Sequence, residues 1–181
     1  IIKPRNLTYD WMIYNENVGA TKGMCLNTTQ APFTSSNFND TAPTTSVFSV
    51  KNNATNETNG TYIAYCFADV QGFSKMGSYT GNANANGPFV YTGFKPSFVI
   101  IKRTNLANDW LTQDNKRYPV NETVAKTLKP NSALAEGDTG NLDILSNGFK
   151  LRSTGTNTNA SGGTYIYMAF AEAPLVGTNN I

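Results

Sequence analysis

The chain has 181 residues, a formal charge of +2, 14% charged residues and no histidine. That length suits one medium domain or two small ones and excludes a multidomain enzyme, while the missing histidine excludes Ser-His-Asp and Cys-His centres and the commonest transition-metal ligand. No basic run exceeds Lys102-Arg103 or Lys116-Arg117, so there is no counterion-release footprint and nucleic acid is not an expected partner.

Asn (24), Thr (23), Ser (11) and Gly (15) fill 73 of the 181 positions. These residues are poor helix formers and several of them favour turns, yet 39% hydrophobic and 12% aromatic content is enough for a packed core. The expectation is an all-β fold rich in loops. No apolar run approaches the ~20 residues of a membrane span and nothing resembles a signal peptide, so membrane insertion is not expected.

In chain order, the pattern predicts strands at 1–4, 10–14, 24–28, 46–51 and 60–70, then at 76–80, 88–92, 96–103, 109–113, 142–145, 148–152 and 163–172. Asn59-Gly60, Asn86-Gly87, Asn147-Gly148 and Ser161-Gly162-Gly163 mark turns between them. One segment, 121–129, can form two helical turns before Pro130. The runs opening Gly60-Thr61-Tyr62-Ile63 and Gly163-Thr164-Tyr165-Ile166 are apolar on both faces, a pattern that belongs in the middle of a packed sheet. Cys66 lies in the first of these runs. A buried thiol there, or one disulfide with Cys25, are the two readings; a zinc site is excluded for want of histidine partners.

The sequence is internally repeated. Ile1-Ile2-Lys3-Pro4-Arg5-Asn6-Leu7-Thr8-Tyr9-Asp10-Trp11 matches Ile100 to Trp110 at an offset of 99, with seven identities in eleven. Residues 60–69 match 163–172 at an offset of 103, with six identities in ten and a carboxylate, Asp69 or Glu172, closing each copy. Phe48-Ser49-Val50-Lys51 lines up with Phe149-Lys150-Leu151-Arg152 at 101. Loop insertions absorb the drift while strands hold register. Two tandem, related β-sandwich (jelly-roll-like) units are expected, 1–75 and 76–181, the second ending in a short polar tail. The second copy opens with Gly93-Phe94-Lys95-Pro96-Ser97-Phe98-Val99, which has no counterpart before Ile1; the expectation is that the first unit is incomplete at its N-terminus and that the polypeptide extends upstream.

Gly77-Ser78-Tyr79-Thr80-Gly81-Asn82, Gly87 to Pro96, Phe98 to Arg103, Leu145 to Ser153 and Gly162 to Glu172 together resemble a domain of unknown function common in virion proteins of marine bacteriophages. The likeness covers 60–174 well and 1–59 more loosely. It implies a location, a phage particle and a tail fibre or other appendage. It carries no catalytic signature.

Asp10-Trp11 and Asp109-Trp110 recur in both copies. A Trp beside a carboxylate is either a sugar-stacking platform with a polar clamp or a core aromatic beside a turn-forming Asp. Asp69 and Glu172 form an acid/base pair only if they face one another at roughly 5 to 10 Å; otherwise each meets a lysine or a backbone N–H. The loop Gly137-Asp138-Thr139-Gly140-Asn141-Leu142-Asp143 is rich in oxygen donors, with Asp138 and Asp143 as candidate cation ligands, but it lacks the closing bidentate Glu of a calcium hand. Eight Asn-x-Ser/Thr sites, at Asn6, Asn27, Asn39, Asn53, Asn56, Asn59, Asn121 and Asn159, follow from the composition or mark glycosylation. The expected function is therefore non-enzymatic and needs no cofactor: a virion structural module for host-surface attachment, with copies of itself, other virion proteins and a host-surface glycan as partners. Two alternatives remain, a decoration or filament subunit that cements its neighbours and a carbohydrate-active domain of a fibre.

Overall fold

The computed structural model describes residues 1–117, 121, 126–137 and 141–173. The fold is all-β, three antiparallel sheets, and the chain divides into two compact units, Ile1–Phe67 and a second beginning at Ala68.

In the first unit, β1 (Ile2–Pro4), β2 (Met12–Ile13), β3 (Lys22–Cys25), β4 (Phe33–Thr34) and β5 (Tyr62–Ala64) form one sheet in the order β4-β3-β2-β1-β5. The β2–β3 connection closes on the Asn15 carbonyl, which accepts the Val18 and Gly19 N–H groups, and Gly19 supplies the positive φ of 90° that ends the turn. Ile2, Met12, Cys25 and Phe38 form a small buried core, with Tyr14, Phe33, Val50, Ala54 and Tyr62 packed against it. One helical turn, α1 (Asn53–Asn56), is pinned by Tyr62, whose hydroxyl accepts the Glu57 N–H at 2.7 Å and donates to the Asn53 carbonyl at 2.9 Å.

The second unit is larger. β6 (Ser74–Thr80), β12 (Thr164–Ala171), β8 (Pro96–Arg103) and β9 (Trp110–Asp114) form a four-stranded sheet in that order. β10 (Leu142–Leu145), β11 (Gly148–Leu151) and β7 (Phe89–Tyr91) form a three-stranded one. Both sheets feed one core: Val99, Ile101, Tyr165, Tyr167 and Ala169 from the first, Val90, Leu142, Ile144, Phe149 and Leu151 from the second. Aromatic geometry locks the two together: Phe149 of the three-stranded sheet meets Tyr79 edge-on at 6.2 Å and Tyr167 edge-on at 5.2 Å. Each such pair adds roughly 0.5–1.5 kcal/mol beyond area burial.

Several expectations need correction. The segment 60–70 is not a central strand: β5 is three residues long and pairs only with β1 among the described residues, and Ile63, Tyr65 and Phe67 are 40–48% exposed. Cys66 is accordingly exposed and not a buried thiol, and Cys25 and Cys66 form no disulfide. Residues 46–51 form no strand. The expected helix at 121–129 falls partly on 122–125, which lie outside the described residues. Of the rest, Thr127 and Leu128 are extended, bridging to Gly137 and Thr112, and Asn121 lies in a turn with a φ of 68°. β4 and α1 were not expected at all.

Candidate functional site

The two Asp-Trp motifs build the same clamp twice. In the first unit the Asn27 amide donates to Asp10 Oδ1 at 2.7 Å while its carbonyl oxygen accepts the Trp11 N–H at 3.0 Å. In the second, Asn131 donates to Asp109 Oδ1 at 2.8 Å and accepts the Trp110 N–H at 2.8 Å. A lysine lies over each indole: Lys3 Nζ is 5.9 Å from the Trp11 ring and Lys102 Nζ 5.8 Å from that of Trp110. Each ammonium also donates to a backbone carbonyl at the equivalent place, Tyr9 or Asn108. Cation–π contacts of this kind strengthen from about 0.5–1 kcal/mol when exposed to about 2 when desolvated.

The repeat of bonding runs further. Asn6 and Asn105 bridge Asn59 to Thr61 and Gly162 to Thr164. Tyr62 and Tyr165 each accept one N–H and donate to one carbonyl, at Glu57 and Asn53 or at Ala160 and Thr156. The pairs Ile13–Met24 and Gly23–Phe33 recur as Thr112–Leu128 and Thr127–Gly137.

The clamps differ in what surrounds them. Trp110 is 3% exposed and Lys102 fully buried; Trp11 is half-buried and stacks on the exposed Tyr65 at 6.3 Å. At the position of Cys25, whose Sγ lies 3.7 Å from Asp10 Oδ2, the second unit has Lys129, 2.8 Å from Asp109 Oδ2. Burial disfavours the Asp109 carboxylate, but hydrogen bonds from Lys129 and Asn131 and the charges of Lys129 and Lys102 outweigh it, so the group titrates below the usual carboxylate range. Trp110 is therefore a core residue and Asp109 is held by Lys129 and Asn131, whereas Asp10 is exposed and Trp11 half-buried.

The remaining candidates are held in local pairs. Asp69 binds Lys75 and accepts the Met76 N–H. Glu172 binds Lys116 and Asn115, contacts that depress its pKa. Asp143 pairs with Arg152 at 2.8 Å, Asp138 lies outside the described residues, and no cluster of three or more acidic or thiol groups suited to a metal occurs among the described residues. Asn159, one of the glycosylation sequons, is fully buried with its amide donating to Asn82, Asn84 and Ser153.

A further feature, unannounced in the sequence, is an open depression of about 720 Å³ on the first unit. Phe33 forms its apolar wall, and Thr34, Ser36, Asn37, Asp40 and Asn52 line the rest. Asp40 and Asn52 hold positive φ angles of 49° and 55°, as does the neighbouring Asn39 at 54°. Such backbone costs of order 1–3 kcal/mol per residue and gathers at ligand sites. The depression is a meeting of loops 33–40 and 49–55, and nothing in the local spacing of either announces the other.

These features define an all-β protein of two units that repeat one polar clamp. The chain belongs to the family described as Domain of unknown function (DUF7483), whose model matches residues 1–174. No curated protein and no solved structure matches it. No helix among the described residues is long and apolar enough to cross a membrane.

Proposed function

We propose that the chain is a non-enzymatic structural module of a bacteriophage virion, a tail-fibre or appendage segment that attaches to host-surface glycan. The observation that carries the attachment reading is the open depression on the first unit. Saccharides are bound by an apolar surface for their C–H faces together with amide, hydroxyl and carboxylate groups for their hydroxyls, and Phe33, Asn37, Ser36, Asn52 and Asp40 offer that set in one place. The location rests on the resemblance of 77–82, 87–96, 98–103, 145–153 and 162–172 to virion proteins. The recurrence of the Asp-Trp-Asn clamp, the Tyr bridges and the strand pairings supports two tandem copies of one β-sandwich, jelly-roll-like, a design suited to multivalent attachment, in which weak contacts sum through effective concentration.

Binding of purified bacterial surface polysaccharides, followed by titration calorimetry, tests the reading. Asp40→Ala and Phe33→Ala are expected to weaken binding at least tenfold, with the polysaccharide recovered at its original length. Undiminished binding by both variants, or chain cleavage abolished by changing Asp69 or Glu172, overturns it. The cementing alternative is favoured by one observation, the apolar side chains that the first unit leaves exposed.

A further inference from the structure

The outer face of the three-stranded sheet in the second unit belongs to neither the core nor the clamps. Along β7, β10 and β11 the residues that build the core alternate with others that point away from it. The register fixes their places. Asp143, Lys150 and Phe89 stand in one row across the three strands, and Leu145, Gly148 and Tyr91 in the next. Arg152 follows Lys150 on the same side, its Nε 2.8 Å from Asp143 Oδ2.

Phe89 and Tyr91 are 46% and 65% exposed, and each ring leans over a glycine. Ring atoms of Phe89 lie 3.1 Å from where a Cβ of Gly148 would stand, and those of Tyr91 3.8 Å from that of Gly93, whose φ is +85°. Glycine at both places leaves the rings room to lie along the sheet. A single exposed apolar side chain is ordinary surface, whereas two aromatics side by side with a charged rim mark a binding face. The rim is basic. Lys150 donates to the Gly87 carbonyl at 2.8 Å, which leaves two of its three N–H donors, and with Arg152 it sets two cations against the one carboxylate of Asp143.

Rings and cations together select the ligand. Ring faces present the negative lobe of the aromatic quadrupole, which polarised C–H groups meet favourably. Lysine and arginine donors match carboxylates. A chain of sugar rings that bears carboxylates offers both, and residues two apart on a strand stand roughly 7 Å apart, so that Phe89 and Tyr91 address neighbouring sugar units.

We propose that Phe89, Tyr91, Lys150 and Arg152 form a second binding face, one for a polysaccharide that carries carboxylates. The rings, the glycines and the basic rim all lie between residues 89 and 152, so no residue beyond the chain's ends is needed to build it. The first unit does not repeat the face, since Val47 and Ser49 stand in the places of Gly148 and Lys150. It is also independent of the depression, which shares no residue with it and whose lining holds one charge, Asp40.

Titration calorimetry on the full chain tests the proposal with three probes: tetragalacturonate, neutral cellotetraose, and polyglutamate, an anion without sugar rings. Tetragalacturonate is expected to bind at least tenfold more tightly than the other two. Tyr91→Ala and Phe89→Ala are each expected to weaken it at least fivefold with circular dichroism unchanged, and Lys150→Gln to narrow the gap between the acidic and neutral probes at least threefold. Absence of tetragalacturonate binding, equal binding of polyglutamate, or undiminished binding by Tyr91→Ala overturns the proposal. So does a dimer in light scattering that Tyr91→Ala dissociates, which would make the face a subunit contact. Loss of tetragalacturonate binding through Asp40→Ala alone would place that ligand in the depression, overturning this proposal while leaving the depression's own reading standing.

Discussion

Phe48 and Phe149 occupy equivalent places in two copies of one pattern, and the first is 41% exposed while the second is fully buried. The same contrast separates Ile63 from Ile166, 40% against 4%. The hydrogen-bonded frame is shared: the Asp-Trp-Asn clamp, the Tyr bridges and the β1–β5 and β8–β12 registers. What differs is cover. Local bonding is specified by each copy's own residues, whereas burial in the second unit depends on a segment, β6 to β7, that has no counterpart among residues 1–67. An apolar strand therefore records the surroundings its pattern was suited to, and its exposure reports whether they are present.

The largest test of that contrast is truncation of the two phenylalanines. Phe149→Ala removes a ring from a closed core and is expected to cost about 3–5 kcal/mol; Phe48→Ala is expected to cost under about 1 kcal/mol, since little burial is lost. Urea denaturation of both variants measures the difference. Equal costs would mean that Phe48 is covered in solution.

A smaller effect reads the same boundary from the opposite direction. Gly148 is the counterpart of Val47, which is 64% exposed. A Cβ at Gly148 would lie 2.1 Å from the Val90 carbonyl oxygen, a backbone atom that moves only if β7 moves. Gly148→Val is thus expected to destabilise by about 2–3 kcal/mol through overpacking, and Val47→Gly by about 0.5 kcal/mol or less. A thermal shift of similar size in both would show that β7 does not constrain this position.

Two of the three offsets of the sequence repeat, 99 and 103, were enough to place β1, β8 and β12 and to align the two Asp-Trp motifs. They were not enough to find the third member of the clamp. Asn27 and Asn131 lie at an offset of 104, and their neighbours Cys25-Leu26 and Lys129-Pro130 share no identity, so only the folded geometry joins them to the motif. Residues 121–129 suggested a helix because Glu, Ala and Lys favour one, but Thr127 and Leu128 are drawn into extended pairing by Thr112 and Gly137. Tertiary pairing overrides weak local preference. The error at Cys66 has the same origin as the contrast between the units, because composition alone cannot say whether a strand's second neighbour is present. The depression was illegible for a further reason: Asp40 and Asn52, which line it, hold positive φ angles that Asn and Asp permit but do not announce.

The smallest expected effect concerns the one charged difference between the clamps, Lys129 in the place of Cys25. Lys129 and Asp109 are 26% and 22% exposed, and their contact at 2.8 Å is less screened than a surface pair. Because the folded-state pKa of Asp109 is depressed below its ordinary value of 3.8, ionised Asp109 stabilises the second unit at pH values above the ordinary one, and that stability is lost as the pH falls below about 4 and through the folded value. Lys129→Met removes the larger hydrogen bond and the nearest charge, leaving Asn131 and Lys102. It is expected to cost about 1 kcal/mol at pH 7 and to flatten the loss of stability between pH 5 and pH 2. Asp109→Asn in the same background is expected to add little at low pH, where the carboxyl is already neutral. Urea titrations followed by tryptophan fluorescence at several pH values measure both slopes. If Lys129→Met kept the full acid dependence, the depression of Asp109 would have to come from Asn131 and Lys102 alone, and the clamps of the two units would be electrostatically alike.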